Sequence, residues 1–369
     1  MSVYEMLVRP DIAALEAYTP IQPFDVVSAQ LGIPIENIIK LDANENPFGP
    51  APGVVQALRE FPFYHIYPDP DQTRLRRAIS PFIGQPIERI ICGNGSDEII
   101  DLLMRVVIQP GDVVVGCPPT FGMYPFNTGV VAGRYVAVPR TADFELDVAA
   151  IADAVRTHNA KLIFLPSPNN PTGHTVARDH IRQLLELPAI LVLDEAYAEF
   201  SNGSVSDWVG QYSNLVVLRT FSKWAGLAGL RIGYGLVPEW LIENLWKIKP
   251  PYNTNVAAEV AVIQSIAEAA VLHERAAHII AERERLWQAL DQMNGIQPYP
   301  SQANFILCRI ERGDAAQIKQ QLAQQGILVR HYRTAELANC IRISIGLPHH
   351  HDAVLAALAE CLESIEHKA

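Results

Sequence analysis

Seven short apolar runs alternate with helical patterns between about residues 40 and 250, and this alternation constrains the fold more than any other feature. The runs are apolar nearly throughout and lack a polar residue at every second position. This pattern is typical of strands that helices cover on both faces of a parallel sheet. The sequence therefore predicts an α/β fold with a mostly parallel seven-stranded sheet between helices. The runs are Arg89–Cys92, Val113–Gly116, Tyr135–Val138, Leu162–Leu165, Ile190–Leu193, Leu215–Leu218 and Ile232–Val237.

The 369 residues divide into an arm and two domains on the same patterns. Residues 1–39 contain a proline-broken stretch and are expected to form an N-terminal arm. Residues 40–255 carry the seven runs and are expected to form the large domain. A single long helical pattern from Val256 to about Met293 opens the last part, residues 256–369. Shorter strand and helix patterns in that part predict a smaller α+β C-terminal domain.

Composition and charge exclude several classes of protein. The chain is 49% hydrophobic with a net charge of −11 and has no long basic run, so we expect neither a nucleic-acid nor a membrane partner. Five cysteines are scattered without a Cys-x-x-Cys pair, which favours reduced thiols and a cytoplasmic protein. The N-terminal residues show no signal-peptide pattern. No spacing of ligands predicts a metal site.

Polar residues cluster directly after five of the runs, where each predicted strand ends. Taken alone, each segment could be a simple turn or a helix cap. In open parallel sheets, however, ligands bind at the carboxyl ends of the strands. The sequence therefore predicts a ligand site along one edge of the sheet. The segments are Gly93–Asp97, Thr120–Gly122, Asn170, Asp194 with Tyr197, and Ser222 with Lys223.

The types of residue at this edge suit pyridoxal 5′-phosphate. Lys223 offers an amine that can form an imine with the aldehyde of this cofactor, and Asp194 offers a carboxylate for its ring nitrogen. Tyr197 and Asn170 can hydrogen-bond its phenolic oxygen, and Arg231 can pair with its phosphate. A carboxylate beside the ring nitrogen favours the protonated ring. A lysine released from the cofactor can act as a general acid–base.

Ten segments along nearly the whole chain resemble the fold-type I pyridoxal-phosphate aminotransferases, and most closely the histidinol-phosphate aminotransferase family. The block Arg219–Lys223 is specific to fold type I, while Asn44–Pro47 and Pro118–Tyr124 narrow the resemblance to this family. Seven other segments carry the resemblance. They are Tyr67–Asp69, Gly93–Glu98, Ser167–Gly173, Asp194–Tyr197, Leu227–Tyr234, Ala303–Phe305 and Arg342–Gly346.

The resemblance implies a role for each residue around the cofactor. Lys223 would bind it covalently and Asp194 would pair with the pyridine nitrogen. Tyr197 and Asn170 would contact the phenolic oxygen, and Phe121 would stack on the ring. Lys223, Asp194 and Tyr197 are thus the expected catalytic residues. The phosphate would meet Gly95, Ser96, Asp97, Ser222 and Arg231, together with Tyr67 of the partner subunit of a homodimer.

The resemblance also implies the substrates, a small-molecule amino donor and a 2-oxo acid. In this family they are histidinol phosphate and 2-oxoglutarate, in histidine biosynthesis. The substrate would be bound by Arg330, Arg342 and Tyr18 at its anionic end, and by Asn44. An arginine suits both partners because it pairs in bidentate fashion with phosphate or carboxylate. One departure from the family pattern is Trp224, which follows Lys223 at a position where many relatives have a smaller residue.

Other functions stay open on the same scaffold. The nearest are an aromatic amino acid aminotransferase and a threonine-phosphate decarboxylase. A pyridoxal-phosphate-sensing transcription regulator would need a basic DNA-binding module, for which the acidic chain and its arm of 39 residues leave no room. A non-enzymatic structural protein would give no reason for Lys223, Asp194 and Arg231 to occur together.

Overall fold

The structure is a computed structural model that describes residues 4–17 and 22–366. Within these residues the chain forms twelve strands and thirteen α-helices. The strands are β1 Ile39–Leu41, β2 Ile90–Asn94, β3 Val113–Gly116, β4 Arg134–Ala137, β5 Leu162–Pro166, β6 Ile190–Asp194, β7 Leu215–Thr220, β8 Ile232–Leu236, β9 Ile296–Pro298, β10 Phe305–Ile310, β11 Ile327–His331 and β12 Cys340–Ser344. The helices are α1 Pro10–Ala13, α2 Phe24–Leu31, α3 Pro52–Glu60, α4 Thr73–Ile83, α5 Gly95–Val107, α6 Met123–Val130, α7 Val148–His158, α8 Arg178–Leu185, α9 Glu239–Ile248, α10 Val256–Ala267, α11 Ala269–Asp291, α12 Ala315–Gln324 and α13 Pro348–Glu366.

The larger sheet has seven strands in the order β2-β8-β7-β6-β5-β3-β4. All seven apolar runs form strands of this sheet, and the predicted mostly parallel α/β architecture is confirmed. Only β8 runs antiparallel, to both of its neighbours β2 and β7. Successive residues of one strand enter different cores, as Leu191 and Leu193 pack in one apolar cluster and Val192 in another. The absence of apolar–polar alternation therefore reflects burial on both faces.

The smaller sheet has five strands in the order β1-β11-β12-β10-β9, and most of its pairs are antiparallel. Its edge strand β1 comes from the beginning of the chain, and Ile39 lies opposite Ile327 in a parallel pair. The boundary predicted at residue 40 therefore falls inside a strand of this second sheet. A strand of three residues carries too little pattern to be assigned from the sequence.

The long helix predicted from Val256 to Met293 is wrong, because the chain bends by 81° between α10 and α11. Glu268 forms the junction and accepts a hydrogen bond from the backbone N–H of Gly53, at the start of α3. This contact holds the end of α10 against the large domain, while α11 continues toward the second sheet. In the described part of the chain, no single helix has the length and hydropathy to cross a membrane, although this bent pair meets both criteria when counted together.

Candidate active site

A cavity of about 370 Å³ lies at the carboxyl ends of the large-sheet strands. Segments that follow five of these strands line it, as the strand-end argument predicts. The second sheet contributes a further wall through β11 and β12. Thirteen of the predicted site residues line the cavity: Asn44, Gly95, Ser96, Asp97, Phe121, Asn170, Asp194, Tyr197, Ser222, Lys223, Arg231, Arg330 and Arg342.

Lys223 lies in the loop after β7 with its amine inside the cavity. Its Nζ donates a hydrogen bond to the backbone carbonyl of Ala43, at 3.2 Å. Burial, assisted by the nearby positive charge of Arg342, lowers the pKa of Lys223 to about 8. The neutral form, which is the one that attacks an aldehyde, is therefore about a tenth of this amine at pH 7, far more than for an ordinary lysine.

Asp194 is the last residue of β6 and is buried at the base of the cavity. Its Oδ2 accepts a hydrogen bond from the hydroxyl of Tyr124, at 2.8 Å, and its Oδ1 accepts one from the N–H of Ala196, at 3.1 Å. Burial raises the pKa of Asp194 to about 6, and these two hydrogen bonds oppose the rise. A cation beside this carboxylate would further favour its ionised form.

Tyr124 is a residue of this site that the sequence reasoning missed. It follows Phe121 by three residues on the turn that begins α6, so one element presents both rings. Phe121 meets the Tyr124 ring edge-on, with 5.6 Å between the centroids. Since Phe121 lines the cavity and Tyr124 is bonded to Asp194, the turn that leads into α6 supports two sides of the predicted ring site at once. Its spacing of three residues from Phe121, across the turn that begins α6, was the signal that could have identified Tyr124.

The hydroxyl of Tyr197 accepts a hydrogen bond from Nδ2 of Asn44, at 3.0 Å. Burial raises the pKa of Tyr197 to about 12, so its hydroxyl keeps its proton at neutral pH. Asn170 faces the same cavity, and its Oδ1 accepts a hydrogen bond from Nη1 of Arg342, at 2.5 Å. With its oxygen bonded to arginine, the Nδ2 group of Asn170 is the end that can donate.

The junction where β2 ends and α5 begins has the form of an anion site. Gly95 opens α5 with a φ of +70°, and the first N–H groups of a helix have no partners within the helix. A Cβ atom at Gly233 of β8 would lie 2.5 Å from the backbone nitrogen of Ser96, so a glycine is needed for this close approach. Arg231 adds positive charge and contacts Oδ2 of Asp97, at 3.2 Å.

Ser222 directly precedes Lys223 in the chain. Its backbone N–H and its hydroxyl are both within hydrogen-bond distance of the hydroxyl of Thr220, at 3.1 and 3.0 Å. The serine is nearly buried but lines the cavity. These contacts fix the serine next to the lysine.

Two arginines form the part of the cavity wall contributed by the second sheet. Arg330 of β11 and Arg342 of β12 lie directly opposite each other in the antiparallel pair. Nη2 of Arg342 donates to the carbonyl of Asp42, at 2.6 Å, and its guanidinium lies 5.1 Å from the centroid of the Phe305 ring. Like charges directly opposite each other repel, so an anion bound near both arginines would relieve the repulsion.

Among the predicted residues that the structure describes, Tyr67 alone does not line the cavity of its own chain. Tyr67 is 78% exposed and stacks on the ring of Tyr252, with 4.6 Å between the centroids. Tyr18 lies outside the described residues. Trp224, the departure after the lysine, is buried and packs against the rings of Phe82 and His273, so its role is in packing. Across residues 4–17 and 22–366, no group of three or more His, Cys, Asp or Glu side chains could hold a metal ion.

Comparisons with known proteins agree with this geometry. Residues 36–362 match the family described as aminotransferase class I and II. The chain is 57% identical to a histidinol-phosphate aminotransferase of Roseiflexus castenholzii, over 96% of this chain and 98% of that one. It is 48% identical to the chloroplastic histidinol-phosphate aminotransferase 1 of Arabidopsis thaliana, over 97% and 86% of the two chains. Its fold matches a crystal structure of histidinol-phosphate aminotransferase from Sinorhizobium meliloti in complex with pyridoxal-5′-phosphate, with a TM-score of 0.88, 29% identity and coverage of 97% and 98%.

Proposed function

Because this chain belongs to the class I and II aminotransferases, and within them to the histidinol-phosphate aminotransferase family, we propose that the cavity at the strand ends is its active site. The enzyme is a pyridoxal-phosphate-dependent transaminase that moves an amino group between histidinol phosphate and 2-oxoglutarate, a reaction of histidine biosynthesis. The observation that carries the assignment of the site is that one cavity contains a lysine of lowered pKa, a buried carboxylate and two arginines.

The residues present fit pyridoxal 5′-phosphate. The Gly95 turn at the N-terminus of α5 leaves room for a phosphate that a side chain at Gly233 would disturb. Asp194 has one oxygen bonded to Tyr124 and the other to a backbone N–H, which orients the carboxylate for a ring nitrogen. Lys223 lines the same cavity. Phosphate, ring nitrogen and aldehyde therefore each have a partner of suitable chemistry.

When bound, the cofactor supplies an electron sink for the electron pair that is released as the substrate Cα–H bond breaks. Asp194 holds the proton on the ring nitrogen, because a negative carboxylate stabilises the adjacent cation. Tyr197 and Asn170 donate to the phenolic oxygen, and Phe121 covers a ring face. Nζ of Lys223 is the general acid–base: it accepts the proton from the substrate Cα and would deliver it to the cofactor.

Arg330 and Arg342 bind the anionic ends of both substrates. The two half-reactions present different anions, the phosphate of histidinol phosphate and a carboxylate of 2-oxoglutarate. A pair of guanidinium groups accommodates either, because the planar fork of donors matches both geometries. Tyr18 and Asn44 complete the set of substrate residues that the family pattern predicts.

We also propose that the enzyme is a cytoplasmic homodimer in which Tyr67 of the partner subunit reaches the phosphate. Exposed aromatic side chains of Phe63, Tyr64, Tyr67 and Tyr252 support an interface there, because large apolar groups are rarely left clustered in solvent. All five cysteines are buried free thiols, which suits a reducing compartment.

The substrate assignment is tested by the half-reaction that converts the bound cofactor to its amine form. The purified enzyme is mixed with histidinol phosphate, phenylalanine or threonine phosphate, and loss of the visible absorbance band is followed in time. We expect histidinol phosphate to react fastest, and R342Q to lose most of this preference. A hundredfold preference in kcat/KM for phenylalanine, about 2.7 kcal/mol of transition-state discrimination, would overturn the assignment. Release of carbon dioxide from threonine phosphate would identify a decarboxylase instead.

A further inference from the structure

Every polar group of Asn44, in the loop that follows β1, makes a hydrogen bond. It has a left-handed φ of 55°, a conformation that asparagine tolerates better than most residues. Its backbone N–H donates to Oγ of Ser344, at 2.9 Å, and its backbone carbonyl accepts from Nδ2 of Asn304, at 3.0 Å. Its side-chain Oδ1 accepts from Ser344 and its Nδ2 donates to Tyr197, at 2.9 and 3.0 Å. The side chain is thus a fixed bridge between the second sheet and Tyr197.

Ser344 determines which end of the Asn44 amide faces Tyr197. The serine hydroxyl already accepts the backbone N–H of Asn44, and its single proton needs an acceptor. The amide oxygen of Asn44 provides that acceptor. A flipped amide would place its NH₂ group against the serine oxygen and leave the serine proton without this partner. The amide oxygen therefore faces Ser344 and the NH₂ group faces Tyr197.

This direction controls the proton of the Tyr197 hydroxyl. Because the hydroxyl oxygen accepts a hydrogen from Asn44, its own O–H bond cannot also point at Asn44. Tyr197 lines the cavity, so its proton is left to be donated there. An acceptor in place of the NH₂ group would draw the proton toward residue 44 and away from the cavity.

We propose that Asn44 is a positioning residue, which directs the Tyr197 hydroxyl to donate to the phenolic oxygen of the cofactor, and that Ser344 of the second sheet fixes this direction. The inference rests on the proposed placement of the cofactor. It differs from the family-based expectation for Asn44, which was a contact with the substrate. It also makes the smaller sheet a participant in binding the cofactor ring, through a serine that does not line the cavity.

The test follows the visible absorbance band of the bound cofactor as the pH is changed, without substrate, and measures the pH at which the change is half complete. This midpoint is compared between variants with and without the hydroxyl of Tyr197. A donated hydrogen bond stabilises the negative phenolic oxygen, so Y197F should raise the midpoint. N44D replaces the donor by an acceptor, and S344A frees the Asn44 amide to rotate without adding any charge. Both should raise the midpoint and weaken cofactor affinity in the otherwise native enzyme. When they are combined with Y197F, N44D and S344A should each raise the midpoint by less than half of the shift that they cause when Tyr197 is present.

N44D adds a negative charge, which could raise the midpoint by itself, whereas S344A adds none. S344A therefore distinguishes the proposal from an effect of charge alone, and it still gives a result if N44D does not fold. Circular dichroism of each apoprotein checks the fold. Equal shifts with and without the tyrosine hydroxyl would overturn the proposal, because residue 44 would then act independently of Tyr197. An unchanged midpoint with a raised KM for the amino donor would also overturn it and would identify Asn44 as a substrate ligand. A wild-type protein that takes up no cofactor would overturn the proposed function as well.

Discussion

At the scale of single residues, the site depends on two buried ionisable groups whose pKa values are both moved toward neutrality. Burial lowers the pKa of Lys223 to about 8 and raises that of Asp194 to about 6. In each case the charged form is the one that burial disfavours. The lysine is thereby made a better nucleophile, whereas the aspartate regains its charge when a cation lies beside it.

Asp194→Asn removes the negative charge but keeps the size of the side chain and an acceptor for Tyr124. The ring nitrogen would no longer be held protonated, so kcat should fall by about a thousandfold or more, equivalent to about 4 kcal/mol in the barrier. Steady-state kinetics and circular dichroism should show lost turnover with an intact fold. D207N, at an exposed position, is the matched control and should behave as wild type. A D194N enzyme within tenfold of wild type would contradict the role of Asp194.

The lowered pKa of Lys223 predicts how cofactor uptake depends on pH. Only the neutral amine attacks the aldehyde, so the rate constant for uptake by the apoprotein should rise with pH and level off above about 8. Stopped-flow absorbance measures this rate, and apoprotein carrying K223A gives the background. An uptake rate that keeps rising toward the ordinary lysine pKa of 10.5 would show that burial does not lower the pKa of this lysine.

At the scale of elements, the proposed phosphate site depends on how closely β8 approaches the start of α5. A Cβ at Gly233 would lie 2.5 Å from the nitrogen of Ser96 and 2.9 Å from the carbonyl oxygen of Arg219, and both are backbone atoms that cannot easily move. Gly235 lies two residues along the same strand, and its nearest neighbour would be a side-chain methyl of Ile99 at 3.1 Å. The two glycines therefore form a matched pair.

We expect G233A to displace the start of α5, where we propose that the phosphate binds. It should weaken cofactor affinity by at least tenfold and lower the free energy of unfolding by about 1–3 kcal/mol, the usual cost of overpacking. G235A should keep nearly native affinity, because a side chain can yield where a backbone cannot. Fluorescence titration with the cofactor and thermal unfolding measure the two effects. Equal affinities in the two variants would show that the close approach at Gly233 is not needed.

Much of the large sheet and its ligand edge could be predicted from the sequence, and the reasons are physical. Strands buried on both faces give continuous apolar runs, and polar residues at their ends mark the edge where ligands bind. The bend at Glu268 could not be predicted, since it depends on a bond to Gly53 far away in the chain. Tyr124 was missed because a buried tyrosine in a helix resembles an ordinary core residue. The bonds of Asn44 to Ser344 likewise connect residues 300 positions apart.

At the scale of the whole molecule, the single chain presents a cavity with residues from both sheets, while Tyr67 lies on its surface. Tyr67 and the neighbouring Phe63, Tyr64 and Ile66 are all more than half exposed. In a symmetric dimer, one subunit's exposed segment can complete the partner's site, and the same contact is then made twice. This arrangement would explain why a tyrosine of the family pattern does not line the cavity of its own chain.

Mixed dimers test this arrangement. Y67A and K223A homodimers should each have low activity, for different reasons. After subunit exchange in an equal mixture, each mixed dimer would pair an intact Lys223 with an intact Tyr67 of the partner subunit at one of its two sites. Roughly a quarter of all sites should then be native, and activity should rise accordingly. No recovery in mixtures shown to exchange subunits would mean that Tyr67 does not act across the interface.

The central claim is that the amine of Lys223 holds the cofactor in this cavity. The most direct test is to reduce the purified holoenzyme with borohydride, which makes the link between amine and cofactor permanent, and to locate the modified peptide by mass spectrometry. We predict a single phosphopyridoxyl group, on Lys223, and none in K223A treated in the same way. Modification of a different lysine, or an equal yield in K223A, would contradict the account.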